Sequence, residues 1–272
     1  MKKIIILFLI SCTYSIIGGW EVSPECPSCK YPFNVSLQTY EYYILNELQP
    51  DLTTLWDGHF CQGTLIDNGW VLTNANCVDI VQNNMHIWVE IGLHNINDEI
   101  STEADSIAVN NIYFHPNYNS EEPWHYNYAL LELEDNSSYE PIKLISDVSY
   151  ENIGNSVSVM GWGARSWAIS WIHAYLLFEN NSTIGQCLDG WADDTSLLCL
   201  NPFDIDDYDN WEMENLFEEG FPGGACNGDE GASLIVTNEI GEYELLAFKD
   251  VKKVNIFSRL MKSLNYLIWG DV

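Results

Sequence analysis

Cys226-Asn227-Gly228-Asp229-Glu230-Gly231-Ala232-Ser233-Leu234-Ile235 is the stretch around which the chain can be ordered. Two glycines flank an Asp-Glu pair, a cysteine stands upstream, and an apolar strand starts at Leu234. Working outward, Tyr31-Pro32-Phe33-Asn34-Val35-Ser36-Leu37-Gln38 reads as a β-strand by alternation. His59-Phe60-Cys61-Gln62-Gly63-Thr64-Leu65-Ile66 and Gly69-Trp70-Val71-Leu72-Thr73-Asn74-Ala75-Asn76-Cys77 read as a pair of strands. Two further stretches are Val157-Ser158-Val159-Met160-Gly161-Trp162-Gly163 and Tyr243-Glu244-Leu245-Leu246-Ala247-Phe248-Lys249.

Taken together these stretches resemble the trypsin-like serine proteases. The opening decapeptide resembles the Gly-Asp-Ser-Gly-Gly-Pro nucleophile loop, with Glu230 where the serine stands. The two paired strands resemble Phe-Cys-Gly-Gly-Ser-Leu-Ile and Trp-Val-Leu-Thr-Ala-Ala-His-Cys, with Asn76 at the histidine. Tyr126-Asn127-Tyr128-Ala129-Leu130-Leu131-Glu132-Leu133 resembles Asn-Asp-Ile-Ala-Leu-Leu-Lys-Leu, with Asn127 at the aspartate. His115-Pro116-Asn117-Tyr118-Asn119 resembles the family's structural His-Pro turn, so neither His115 nor the nearby His125 is read as a base. Ile16-Ile17-Gly18-Gly19-Trp20 resembles the mature N-terminus, whose ammonium group pairs in that family with the acid at Asp229. More faintly, Glu25-Cys26-Pro27 resembles mite digestive trypsins and their inactivated paralogues.

The resemblance runs over residues 16–269 and implies an all-β fold of two packed six-stranded antiparallel barrels. The N-terminal barrel would take about 16–140 and the C-terminal barrel about 141–272, ending in a helix over the latter part of 256–269. It also implies disulfides Cys61–Cys77 and Cys187–Cys199, and leaves the pairing of Cys26, Cys29 and Cys226 open. Oxyanion-hole positions fall on Gly228 and Glu230, and specificity-pocket positions on Gly224 and Lys249. Serine-protease chemistry needs a hydroxyl, an imidazole that titrates near neutrality and a carboxylate that steadies it. With Asn76, Asn127 and Glu230 at those positions, the implied product is a domain without peptidase activity that acts by binding. Two other readings stand beside it: a residual or relocated hydrolase, and an acidic structural glycoprotein.

Forty acidic against ten basic residues give a net charge of -30. Such a surface disfavours nucleic acid and anionic membranes and suits solubility or basic partners; the resemblance implies proteases or their substrates as partners. Residues 1–15 read as a secretory signal: Lys2-Lys3, an apolar run from Ile4 to Ile10, then small or polar residues. Leu9-Ile10-Ser11-Cys12 offers a competing lipobox reading. Export permits disulfides and makes the sequons at Asn34, Asn136, Asn180 and Asn181 candidate glycosylation sites. No cofactor is expected. Glu90-Ile91-Gly92-Leu93-His94-Asn95-Ile96-Asn97 resembles the family's calcium-loop strand, but Leu93 stands where a carboxylate ligand is needed. Residues 203–219 form a dense acidic loop whose calcium binding the sequence leaves undecided.

Overall fold

The computed structural model describes residues 19–23, 30–39, 58–79, 87–96, 104–121, 126–145, 147–163, 175–186, 197–200, 229–249 and 256–259. The signal segment 1–15, Ile16, Cys26, Cys29, Cys187, Gly224, Cys226, Gly228 and the acidic loop 203–219 lie outside them.

Strands β2 (Asn34–Thr39), β3 (His59–Asp67), β4 (Trp70–Thr73), β5 (Ile87–Ile91), β6 (Asp105–Phe114) and β7 (Ala129–Leu133) close a barrel. Around it the order is β2-β3-β4-β7-β6-β5, and β5 returns to β2 through five residue pairs. β8 (Lys143–Leu144) is followed by a 3₁₀ turn at Val148–Glu151. Then come β9 (Ser156–Gly161), β10 (Phe178–Gly185), β11 (Leu197–Leu200), β12 (Ser233–Thr237), β13 (Tyr243–Lys249) and β14 (Ile256–Arg259). Their pairings run β9-β10-β11-β14-β13-β12, and β12 pairs back onto β9. Numbered within its own ring, each set of six reads 1-2-3-6-5-4, so one topology is used twice. The short strand β1 (Trp20–Glu21) adds to β10, and β8 adds parallel to β13.

Closing a ring of six short strands requires bends, and the bulges at Leu37/Gln38, Leu65/Asp67 and Val109/Asn111 supply them in the first barrel. The strands read as the physics of a closed sheet dictates. β7, Ala-Leu-Leu-Glu-Leu, is buried except at Glu132, while β6 exposes Ser106, Asn110, Asn111 and Tyr113. Val35, Leu37, Leu65, Leu72, Val89, Ile91 and Leu131 fill the first barrel, and that core runs on through Met160, Trp162, Ile235 and Leu245 of the second. Val157, Val159, Leu198, Leu234, Val236 and Leu246 form the rest of the second core. The barrels therefore share apolar packing at their junction.

Ile256–Arg259, ahead of the stretch expected to be helical, are strand, held between β11 and β13. Residues 260–269, where the helical apolar spacing is strongest, lie outside the described residues.

Candidate functional site

The Cys61–Cys77 disulfide joins β3 to the short helix α1 (Ala75–Asp79), with Cα atoms 6.1 Å apart. It fixes the helix against the first barrel and with it Asn76, in the first turn. Main-chain N–H groups of a first turn have no partner within the helix. That of Asn76 donates to Asn127 Oδ1 at 2.8 Å, and Asn127 is wholly buried. Asn76 and Asn127 are thus in direct contact, through the backbone of one and the side chain of the other. The Asn76 Oδ1 atom is buried with no hydrogen-bond partner.

Asn127 is held at the centre of a three-residue turn, in which Tyr128 N–H donates to Tyr126 O at 2.9 Å. Tyr126 has φ of 53°, a left-handed conformation that a bulky side chain rarely adopts. Its ring stacks on His115 with centroids 4.8 Å apart and planes 4° from parallel, and Tyr128 meets His115 edge-on at 4.7 Å. His115 Nδ1 accepts the N–H of Asn117 at 3.1 Å, so in this arrangement its proton sits on Nε2. Burial holds the imidazole below the usual histidine range. His115 is a structural member of its turn. His125 lies outside the described residues.

Asp229 is wholly buried between the barrels. Its Oδ1 accepts the Gly163 N–H at 2.7 Å and the Gln62 Nε2 at 3.1 Å. A Cβ at Gly161 would lie 2.3 Å from Asp229 Oδ1, and one at Gly163 would lie 2.3 Å from its Cγ. Gly161 and Gly163 are therefore glycines because the carboxylate occupies the space of their side chains. Gly231 has φ of +84°, and its Cβ would meet the Gln62 carbonyl at 2.0 Å. Gln62 also donates its main-chain N–H to Glu230 O at 2.8 Å and accepts from Thr73 Oγ1 at 2.6 Å. Glu230 itself is half-buried at the start of the turn into β12.

Sequence reasoning passed over Gln62, Tyr126 and His59. Gln62 looked like an ordinary strand residue, yet it joins the two halves of the site. His59 Nδ1 is 2.7 Å from Ser36 Oγ, and the ring sits edge-on to the buried Trp162 at 5.8 Å. Trp162 in turn donates from Nε1 to His94 O at 3.1 Å. Of the two residues expected at a specificity pocket, Lys249 is placed by its backbone at the end of β13, paired with Phe257, and Gly224 lies outside the described residues. Cys199 is in a disulfide. Leu93 is buried in the first core as an apolar side chain.

The sequons divide sharply. Asn34 is 0 % exposed and Asn180 is 2 % exposed, so neither side chain has room for a glycan in the fold. Asn136 and Asn181 are exposed, and Asn181 Oδ1 accepts from Ser158 Oγ at 2.6 Å.

The Trypsin family model matches residues 25–245. The chain belongs to the trypsin family. Trypsin 5G1 of Aedes aegypti is 30 % identical over 54 % of this chain and 47 % of its own length. Ovochymase-2 of Mus musculus is 25 % identical over 85 % of this chain and 34 % of its own. Glucanase inhibitor protein 2 of Phytophthora infestans is 30 % identical over 68 % of this chain and 64 % of its own. This trypsin-family chain therefore spans less than two thirds of the length of each of these relatives.

Proposed function

We propose that this trypsin-family domain is secreted, does not hydrolyse peptide bonds, and acts by binding proteins, as a regulator, cofactor or decoy in proteolytic cascades. The observation that carries the reading is the Asn76–Asn127 contact. Their 2.8 Å hydrogen bond keeps the two positions together, yet neither side chain can take or stabilise a proton near neutral pH. Glu230, at the nucleophile position, brings a carboxylate where acyl transfer needs to stabilise a developing oxyanion. In subtilisin, losing nucleophile and base costs on the order of 10⁶ in rate.

One relative carries the name of an inhibitor protein, which favours binding over turnover. The other relatives carry the names of proteases, and they favour a residual hydrolase as the second reading. The fully buried Asp229 supports a charge partner at Ile16, because a buried carboxylate without a cation is costly. Signal cleavage after Ser15 would supply that partner directly.

The deciding experiment exposes the secreted protein to a fluorophosphonate probe and to a broad peptide-substrate library. Neither labelling nor turnover is expected. Turnover that disappears in Glu230→Ala would sink the binding reading. N-terminal sequencing of the same material should begin at Ile16; another start would remove the Ile16–Asp229 pairing.

A further inference from the structure

Among the large apolar side chains of the described residues, the three most exposed are Ile240 at 79 %, Ile153 at 69 % and Val148 at 59 %. A single exposed isoleucine needs no explanation, but several brought together do. The topology brings these three to one end of the second barrel. β12 runs antiparallel to β9, with Leu234 opposite Val159 and Ile235 opposite Ser158. The Asn238–Gly241 turn that follows β12 therefore emerges where the chain enters β9. Ile240 sits in that turn, closed by Gly241 N–H onto Asn238 O at 3.0 Å.

Val148 and Ile153 lie immediately before β9. Asn155 Nδ2 donates to Ser149 O at 2.8 Å and to Tyr150 O at 3.1 Å, folding the 152–155 turn onto the 3₁₀ turn. Gly154 N–H and Ile184 O, 2.8 Å apart, pin the same turn to β10. Tyr150 packs its ring against the second core between the two loops. Its phenol is pushed up by burial and then by the charges of Glu244 in β13, Glu239 and Asp147, so Glu239 and Asp147 from the two loops act on one place. Asp147 is kept ionised by the N–H of Ser149, which donates to Oδ1 at 2.8 Å. Lys143, the described cation in this region, is tied to Glu242 at 2.8 Å. The result is an apolar patch rimmed by carboxylates, on a chain with a net charge of -30.

We propose that this end of the second barrel, with Val148, Ile153 and Ile240 at its centre and the exposed Asp147 and Glu239 beside it, docks a basic amphipathic segment of a partner protein. The apolar side chains would take the partner's apolar stripe and the carboxylates its flanking lysines or arginines. Charge complementarity selects that occupant: a second copy of this acidic chain would bring like charges together, and a purely polar cation would leave the three apolar side chains in water. The inference rests on the reading of this domain as a binding protein, and it names the surface.

The test uses the full secreted chain and a labelled synthetic peptide of leucine and lysine with amphipathic helical spacing, read by fluorescence anisotropy. Saturable binding is expected. It should weaken by at least about tenfold in the triple variant Val148→Ser, Ile153→Ser, Ile240→Ser. Its salt dependence should fall in the double variant Asp147→Asn, Glu239→Gln. Equal affinity of wild type and triple variant would overturn the proposal. So would equally tight binding of a lysine and serine peptide of the same charge, which would mean attraction by net charge alone. Self-association lost in the triple variant would also overturn it, in favour of a second copy. If the triple variant loses its cooperative melt, Ile240→Lys at the turn is measured instead: loss of peptide binding supports the surface and unchanged binding overturns it. Peptidase activity found in the substrate screen would sink the inactive reading without touching this result, and a failed peptide titration leaves that screen untouched.

Discussion

Gln62 Nε2 donates to Asp229 Oδ1 at 3.1 Å while the main-chain N–H of Gln62 donates to Glu230 O at 2.8 Å. One residue of the first barrel thus grips two consecutive residues at the turn that leads into β12 of the second. Replacing it by leucine keeps most of the volume and both main-chain bonds, and removes one donor from a buried carboxylate. Hydrogen bonds to charged groups contribute about 1.5–3 kcal/mol. The Gln62→Leu variant should lose about that much, as a lower urea midpoint at unchanged slope. An unshifted midpoint would show that Asp229 does not depend on this donor.

The Asn76–Asn127 contact makes an asymmetric prediction. The donor is the main chain of Asn76, and the acceptor is the side chain of Asn127. Asn127→Ala removes the acceptor and leaves a first-turn N–H of α1 without it, a loss of about 1–2 kcal/mol. Asn76→Ala leaves the bond intact and deletes a side-chain oxygen that is buried without a partner, so it should cost less than about 0.5 kcal/mol or stabilise. Thermal melts of the two variants side by side decide the matter. Equal losses would mean that the Asn76 side chain carries the contact.

What could be read from the sequence divides along a physical line. Gly161, Gly163 and Gly231 were readable because each answers a steric demand that no other residue satisfies, here the space taken by Asp229 and the Gln62 carbonyl. The two rings were readable for the same reason, through the strand motifs that such contacts punctuate. The burial of Asn34 and Asn180 was not readable, because a sequon is a three-residue pattern, whereas burial is set by ring closure with distant strands. β14 was not readable from local spacing, since its state is fixed by β11 and β13. The left-handed Tyr126 gave no signal, because nothing about tyrosine favours that conformation; the stack on His115 accompanies it. The grip of Gln62 was silent too, since a glutamine in a strand reads as outward-facing.

Asn34 offers a test of burial against pattern. Both of its side-chain polar atoms are buried with no hydrogen-bond partner, and its backbone N–H is already bonded to Tyr31 O at 3.2 Å. An unsatisfied buried amide costs about 1–3 kcal/mol. Asn34→Leu, close in volume, should therefore raise stability by about 1 kcal/mol or more. Intact-mass analysis of secreted protein should show the same glycan content in the variant as in the wild type. A glycan lost with Asn34→Leu would place that side chain at the surface.

His115 sets a pH dependence. Its folded imidazole is held below the usual histidine range by burial, and its Nδ1 is occupied by the Asn117 N–H. The unfolded chain takes up this proton around pH 6.5, whereas the folded chain takes it up only at lower pH. The contribution of His115 is therefore complete above that value and falls as pH drops through it toward the folded pKa. Protonation would also turn the accepting nitrogen into a donor facing the Asn117 N–H and loosen the turn on which Tyr126 stacks. Urea unfolding should show wild type losing stability between neutral pH and about pH 5, with a smaller loss in His115→Asn, which keeps an acceptor and does not titrate. The same pH dependence in both proteins would assign it to other groups.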